Sequence, residues 1–280
     1  MLVRKFVEFF FFGSIFLGVC VVSLCIETNL LLHLPLNNLG FYLFVFGAVL
    51  VQYNLHYLIK ASAPLNSMRF EWSKKNKNTH LILMSAGVLL ILTGMLGFRL
   101  HHFIVLFILG IITLLYSLPV LPFANKKRIK DFGILKIITL VMLWSLITVW
   151  FPADGMKYTS NSFFLIFIGR FIFLFALCLV FDIRDMDIDT TENIRTIPVI
   201  IGVKKTYVVI YLLLGVFIFL TVVQYFRMPV IGPLNAMILS AGATFVMIAY
   251  TKKNKSDIAY LACIDGMMLL QALLVIIDSI

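Results

Sequence analysis

Three aspartates carry the clearest chemistry in this sequence. If the apolar run ending at Phe181 continues as a helix, Asp185 lies about 60° and Asp189 about 20° around the axis from Asp182, so the three carboxylates share one face. Asp187 points elsewhere. With Asp187 and Glu192 they gather five of the chain's 13 acids into residues 182–192, directly after Phe171–Phe181, which holds no charge. Carboxylates held side by side repel one another and call for a cation. Magnesium fits, because it prefers oxygen, is bound through one or two carboxylates, and fills its shell with water and substrate phosphate. Lysines and arginines in neighbouring loops point to an anionic ligand, and a diphosphate bridged by Mg2+ and clasped by basic side chains satisfies both charges. The plainer reading of the same residues is a solvated helix end, with some acids paired to Arg184 or Lys204.

The elements that must position this face are membrane helices. The 280 residues are 62% apolar and 13% charged, with a mean hydropathy of +1.05, against roughly 45–50% and 25% in soluble domains. The apolar runs are continuous and about 20 residues long, which suits spanning helices rather than barrel strands. Nine spans are expected: Phe6–Ile26, Gly40–Ile59, His80–Phe98, Phe103–Leu118, Gly133–Trp150, Ser162–Phe181, Thr206–Phe226, Val230–Tyr250 and Ile258–Ile280. The amino-terminal run has Arg4 and Lys5 before it, as a signal peptide does, but it is too long and lacks a small-residue cleavage site, so it is read as the first span. The whole chain, 1–280, reads as a single transmembrane domain.

Charge orients the spans. Most of the 23 Lys and Arg fall in alternate loops, around Lys74, Lys127, Lys204 and Lys252, while the opposite loops hold only Arg99, Lys157 and Arg227. The amino terminus and the basic loops are therefore expected in the cytoplasm and the carboxyl terminus outside. This segregation reads the net charge of +10 as topology and lipid contact rather than nucleic-acid binding. The loop Lys60–Thr79 mixes Arg69, Phe70, Trp72 and Lys74 as an interfacial amphipathic helix would. Cys20, Cys25, Cys178 and Cys263 lie inside apolar runs without paired spacing and read as small buried hydrophobes. Arg170, Asp265 and Gln271 lie within spans, where polar groups usually face the interior.

Asp182-x-x-Asp185-x-x-x-Asp189, followed by Arg195-Thr-Ile-Pro-Val and Gly202, resembles the second aspartate-rich motif of the UbiA-type intramembrane prenyltransferases. Tyr116-Ser-Leu-Pro119, the basic run Lys126–Lys130, and Lys136 ahead of a span containing Trp144 are similar to that family's segment between its fourth and fifth helices. The resemblance implies an all-α, nine-helix UbiA-like bundle. In it, a polyprenyl diphosphate is bound through Mg2+, its tail lies in a lipid-open cavity, and its prenyl group passes to an aromatic or other lipophilic acceptor. Carried onto this sequence, it implies Asp182, Asp185 and Asp189 as catalytic metal ligands. Arg69, Lys127, Lys130 and Lys136 would offset the diphosphate, Asn54 would orient it, and Tyr116 would bond it or the acceptor.

The chain departs from the family at the first aspartate motif. Asn54 is present, but Leu58 and Ser62 stand where that motif has acids, and no Asp or Glu occurs between Glu27 and Glu71. His56 reads as an interfacial histidine, since a hard oxygen-seeking ion gains little from imidazole. Two alternatives stay open. One is a non-catalytic isoprenoid- or quinone-binding membrane protein or scaffold. The other is a terpene cyclase of the same family, which would need no acceptor.

Overall fold

A computed structural model describes residues 2–60, 67–98, 100–117, 132–153, 161–227 and 230–279, without the side chains of 60, 100, 101, 104, 105 and 114–117. These residues are helical with no strand among them. In chain order the helices are α1 (Leu2–Phe12), α2 (Ile15–Leu31), α3 (Leu39–Lys60), α4 (Met68–Lys75), α5 (Lys77–Met95), α6 (Leu100–Ser117), α7 (Gly133–Trp150), α8 (Asn161–Arg184), α9 (Met186–Thr191), α10 (Ile197–Ile201), α11 (Val203–Arg227), α12 (Ile231–Thr251) and α13 (Asp257–Asp278). The chain is a multi-pass integral membrane protein. Among the described residues seven helices are long and apolar enough to cross a bilayer, and α1 with α2 brings the number to eight. That count does not establish nine crossings. The expected fourth span coincides with α6, part of whose side chains are outside the description.

The first span differs from expectation. Rather than one helix over Phe6–Ile26, the chain bends by 52° between α1 and α2. Ser14, at the bend, takes a left-handed conformation with φ 63°, which costs a non-glycine residue free energy and persists only where its surroundings hold it.

The chain forms two compact units, Met1–Phe98 with Val246–Ile280, and Arg99–Phe245. In the first, α2 packs on α13, where the Cys20 thiol meets the Asp265 carbonyl at 3.6 Å, with Cys20, Val21 and Leu24 nearly inaccessible, and α3 makes its most extensive contact with α5. That contact has glycine on both sides. A Cβ on Gly47 would sit 2.6 Å from the Gly87 carbonyl oxygen and one on Gly87 would sit 2.8 Å from the Gly47 oxygen, and the same approach recurs at Gly40 and Gly94. Absent side chains let the two backbones meet directly, which is how membrane helices associate when lipid removes the hydrophobic drive between them. In the second unit α8 is the core: Phe173, Ala176, Leu179 and Val180 are fully buried, against α7 on one side and α11 on the other.

Candidate active site

Asp182 is delivered by the last turn of α8. The helix is interrupted at Asp185 (φ −88°, ψ 3°) and resumes as α9. The hydrogen-bond ladder carries across the interruption, the Asp185 N–H donating to the Phe181 carbonyl and the Asp189 N–H to the Asp185 carbonyl, each at 2.9 Å. Asp182 and Asp189 therefore stay on one face, as their spacing predicts. Between them stands the ammonium of Lys136, 3.0 Å from Asp182 Oδ1 and 3.1 and 3.3 Å from the two oxygens of Asp189. Asp185 turns aside to its neighbour Arg184, whose Nε and Nη2 donate to it at 2.7 and 3.2 Å. The expected trio of carboxylates is thus a pair sharing a lysine, plus one engaged with an arginine.

Local turns place the lysine. Asn193 closes α9 in the left-handed conformation (φ 56°), with the Ile194 N–H returned to the Asp189 carbonyl at 2.7 Å, a helix-ending motif that reverses the chain. The reversal brings the Arg195 carbonyl against Gly133, which has φ 30° and where a Cβ would run into that carbonyl. Gly133 opens α7, and Lys136 follows one turn later. Pro198 in the first turn of α10, where a missing N–H is harmless, and Gly202 (φ 81°) after its last residue complete the connection to α11.

Asp182 and Asp189 are both buried. Burial pushes the Asp189 carboxyl above the usual carboxylate range, against the pull of Lys136. Among the described residues no three His, Cys, Asp or Glu side chains gather as a metal cluster. The residues nevertheless fit the one- or two-carboxylate mode of Mg2+. Asp182 Oδ2 is buried with no hydrogen-bond partner, an acceptor at the pair that Lys136 leaves open.

Asn54 and Arg69 belong to the first unit and converge on the bend between α1 and α2. Asn54, fully buried, donates its amide to the Gly13 carbonyl at 3.1 Å and to the Leu50 carbonyl at 2.8 Å. Its Oδ1 lies 2.6 Å from Nδ1 of the buried His80, so that nitrogen carries the proton. Arg69 donates from Nη2 to Ser14 Oγ at 3.1 Å and to the Phe12 carbonyl at 3.5 Å, and its guanidinium lies 3.9 Å over the Tyr57 ring. Its backbone N–H is taken by Asp257 Oδ2 at 3.0 Å, at the start of α13. The carbonyls released by the bend are thereby satisfied from α3 and α4. Arg69 Nε remains buried without a partner. The expected interfacial helix exists as α4, with Arg69, Phe70 and Ser73 turned into the protein.

Lys127, Lys130 and the side chain of Tyr116 lie outside the described residues. Sequence reasoning missed His80 and the bend it helps to hold. The signal was Gly13-Ser14 inside an apolar run, a common place for a helix to kink. Glu27, Arg170, Asp265 and Gln271 are all buried within spans.

The model of the UbiA prenyltransferase family matches residues 73–270 of this chain. Comparison with curated proteins gives no match. A solved structure from work on digeranylgeranylglyceryl phosphate synthase in membranes is similar over 99% of this chain and 98% of its own, with a TM-score of 0.59 and 15% identity, a likeness of fold.

Proposed function

The chain belongs to the UbiA prenyltransferase family, and from that premise we propose that it is a Mg2+-dependent prenyltransferase, moving a prenyl group from a polyprenyl diphosphate to an aromatic or other lipophilic acceptor. The observation that carries this reading is the convergence of buried Asp182 and Asp189 on Lys136, with Asp182 Oδ2 open. Bound there, Mg2+ would supply electrostatic stabilisation of the departing pyrophosphate. Asp182 and Asp189 would hold it, with Asp185 reaching it by releasing Arg184. Lys136, with Lys127 and Lys130, offsets phosphate charge. The resemblance adds Arg69 as a further residue to offset phosphate charge and Asn54 as one to orient the diphosphate. The allylic C–O bond breaks, pyrophosphate leaves with the electron pair, the acceptor bonds to the allylic carbon, and the acceptor's proton is lost. Tyr116 serves the diphosphate or the acceptor. Residues 1–280 act as one domain, with the amino terminus and the basic loops in the cytoplasm and the carboxyl terminus outside.

The test is pyrophosphate release from the purified protein in nanodiscs, with geranylgeranyl or longer diphosphates, Mg2+ and a panel of acceptors. Wild type is expected to release pyrophosphate and Asp182→Ala to lose it. No release from wild type, or undiminished release from the variant, refutes the assignment. Release without an acceptor-derived product indicates the cyclase. A second reading, a non-catalytic isoprenoid- or quinone-binding protein, is favoured by Asn54, whose amide is spent inside the protein, and by Leu58 in place of an acid. It is distinguished by lipid that copurifies regardless of Mg2+ or of the aspartates.

A further inference from the structure

Lys136 is more than one more positive group near a phosphate. Its ammonium is already spent on the two carboxylates that a metal would need. Three features give this arrangement direction. The lysine is the most accessible member of the trio, its side chain 19% exposed against 8% for Asp182 and 6% for Asp189. Its backbone is pinned, because Gly133 one turn earlier is wedged under the Arg195 carbonyl, so any movement belongs to the side chain. And it is a lysine, a compact charge on a flexible four-carbon stem that can change partners without moving the helix, as a planar arginine fork cannot do as freely. With Asp185 paired to Arg184, the pair of aspartates and the lysine together leave one net negative charge. A divalent ion approaching the resting site meets one net charge instead of two and must compete with an ammonium already in contact.

We propose that Lys136 is a built-in counter-ion that keeps the resting site from taking up a divalent cation by itself, and that a diphosphate admits the metal by drawing the ammonium off Asp182 and Asp189. Metal and diphosphate then bind as a coupled pair, each strengthening the other by the same factor. The site stays half neutralised between turnovers, and the carboxylates are exposed to a divalent ion only when there is a phosphate to share it. This inference rests on the diphosphate reading of the site, but its own test is metal affinity rather than turnover.

The experiment measures Mn2+ binding to the full chain in nanodiscs by electron paramagnetic resonance, in buffer free of phosphate. Wild type is expected to bind weakly, Lys136→Met at least about tenfold more tightly, because a full positive charge in contact with the ligands is gone. Lys136→Arg, which keeps the charge, should stay as weak as wild type, and Lys136→Met with Asp182→Asn should lose the gain. Because removing the lysine leaves buried carboxylates unpaired and can impair folding, a second measurement uses wild type alone. Nanodiscs are loaded with Mn2+, with or without inorganic pyrophosphate, washed rapidly, and the retained metal counted, with about tenfold more retention expected when pyrophosphate is present. Equal affinity in wild type and Lys136→Met, tightening by Lys136→Arg, or equal retention with and without pyrophosphate overturns the proposal. If any of these occurs while wild type still releases pyrophosphate from a prenyl diphosphate, the counter-ion role falls and prenyl transfer stands. Tight Mn2+ binding by Lys136→Met, when wild type releases no pyrophosphate, leaves the counter-ion role standing and removes prenyl transfer.

Discussion

Replacing Asn54 by leucine separates the structural from the chemical use of this residue. Leucine keeps the approximate volume and removes every polar bond. The Leu50 carbonyl lies within α3 and keeps its helical N–H. The Gly13 carbonyl, however, loses its 3.1 Å donor, and His80 Nδ1 loses its 2.6 Å acceptor. His80 Nε2 already has no partner, so the buried imidazole is left with neither nitrogen bonded. Leaving a buried polar group unsatisfied costs about 1–3 kcal/mol, and two such groups set an upper bound near 6. Inside a membrane displaced groups find other partners, and hydrogen bonds there are worth about 0.6 kcal/mol on average. The net cost expected is therefore about 2–4 kcal/mol, which in a chain of this size lowers Tm by roughly 5–15 °C. The assay is thermal unfolding in nanodiscs followed by tryptophan fluorescence. Trp72 is a suitable reporter, since its ring meets His80 edge-on at 5.3 Å. His80→Phe should cost less, and the double variant less than the sum of the two, because both remove the same bond. A Tm within about 2 °C of wild type refutes the reasoning, and if pyrophosphate release is lost at that unchanged Tm, Asn54 acts on the ligand directly.

Gly47→Ala places a methyl group 2.6 Å from the Gly87 carbonyl oxygen, a backbone atom that cannot rotate away, and is expected to cost about 1–3 kcal/mol, read as a loss of monodisperse protein after heating. Gly133→Ala sets a side chain against the Arg195 carbonyl at φ 30°. It should cost about 1–3 kcal/mol and reduce pyrophosphate release more than the change in Tm explains, because a shift of α7 that relieves the clash also displaces Lys136. Stripping divalent ions with EDTA should abolish pyrophosphate release and restoring Mg2+ should recover it, while unfolding of the resting protein stays unchanged, since Lys136 already pairs with both carboxylates. A fall in Tm on adding EDTA contradicts that last expectation.

Much of the architecture was readable because a bilayer leaves the chain few options. Each expected span from Gly40 onward coincides with an observed helix to within a few residues, since continuous apolar runs have no other way to satisfy their backbone in lipid. The shared face of Asp182 and Asp189 was readable from helical periodicity for the same reason. The partners were not. That Lys136, 46 residues before Asp182 in the chain, would stand between two aspartates depends on the turn at Asn193 and on Gly133 accepting the Arg195 carbonyl, and neither leaves a periodic trace. Asn54 and Arg69 were picked out by resemblance, as ligands of phosphate. Gly13-Ser14 marked a place where the helix could kink, but the engagement of Asn54 and Arg69 with that bend could not be read, because hydropathy says nothing of which distant side chains reach the carbonyls a kink releases.

The first unit is discontinuous in the chain: α13, which covers α2, comes after the whole of the second unit. During synthesis α3 and α5 can close their glycine contact as soon as both have entered the membrane. The face of α2 bearing Cys20, whose thiol meets the Asp265 carbonyl of α13 at 3.6 Å, must instead wait for residues 99–245 to be made, on the order of ten seconds or more at ordinary elongation rates. For that interval the face stands in the nascent bundle without the helix that will cover it. Chains truncated before α13 should accordingly be recognised and degraded as orphans, while the α3–α5 hairpin within them is already formed.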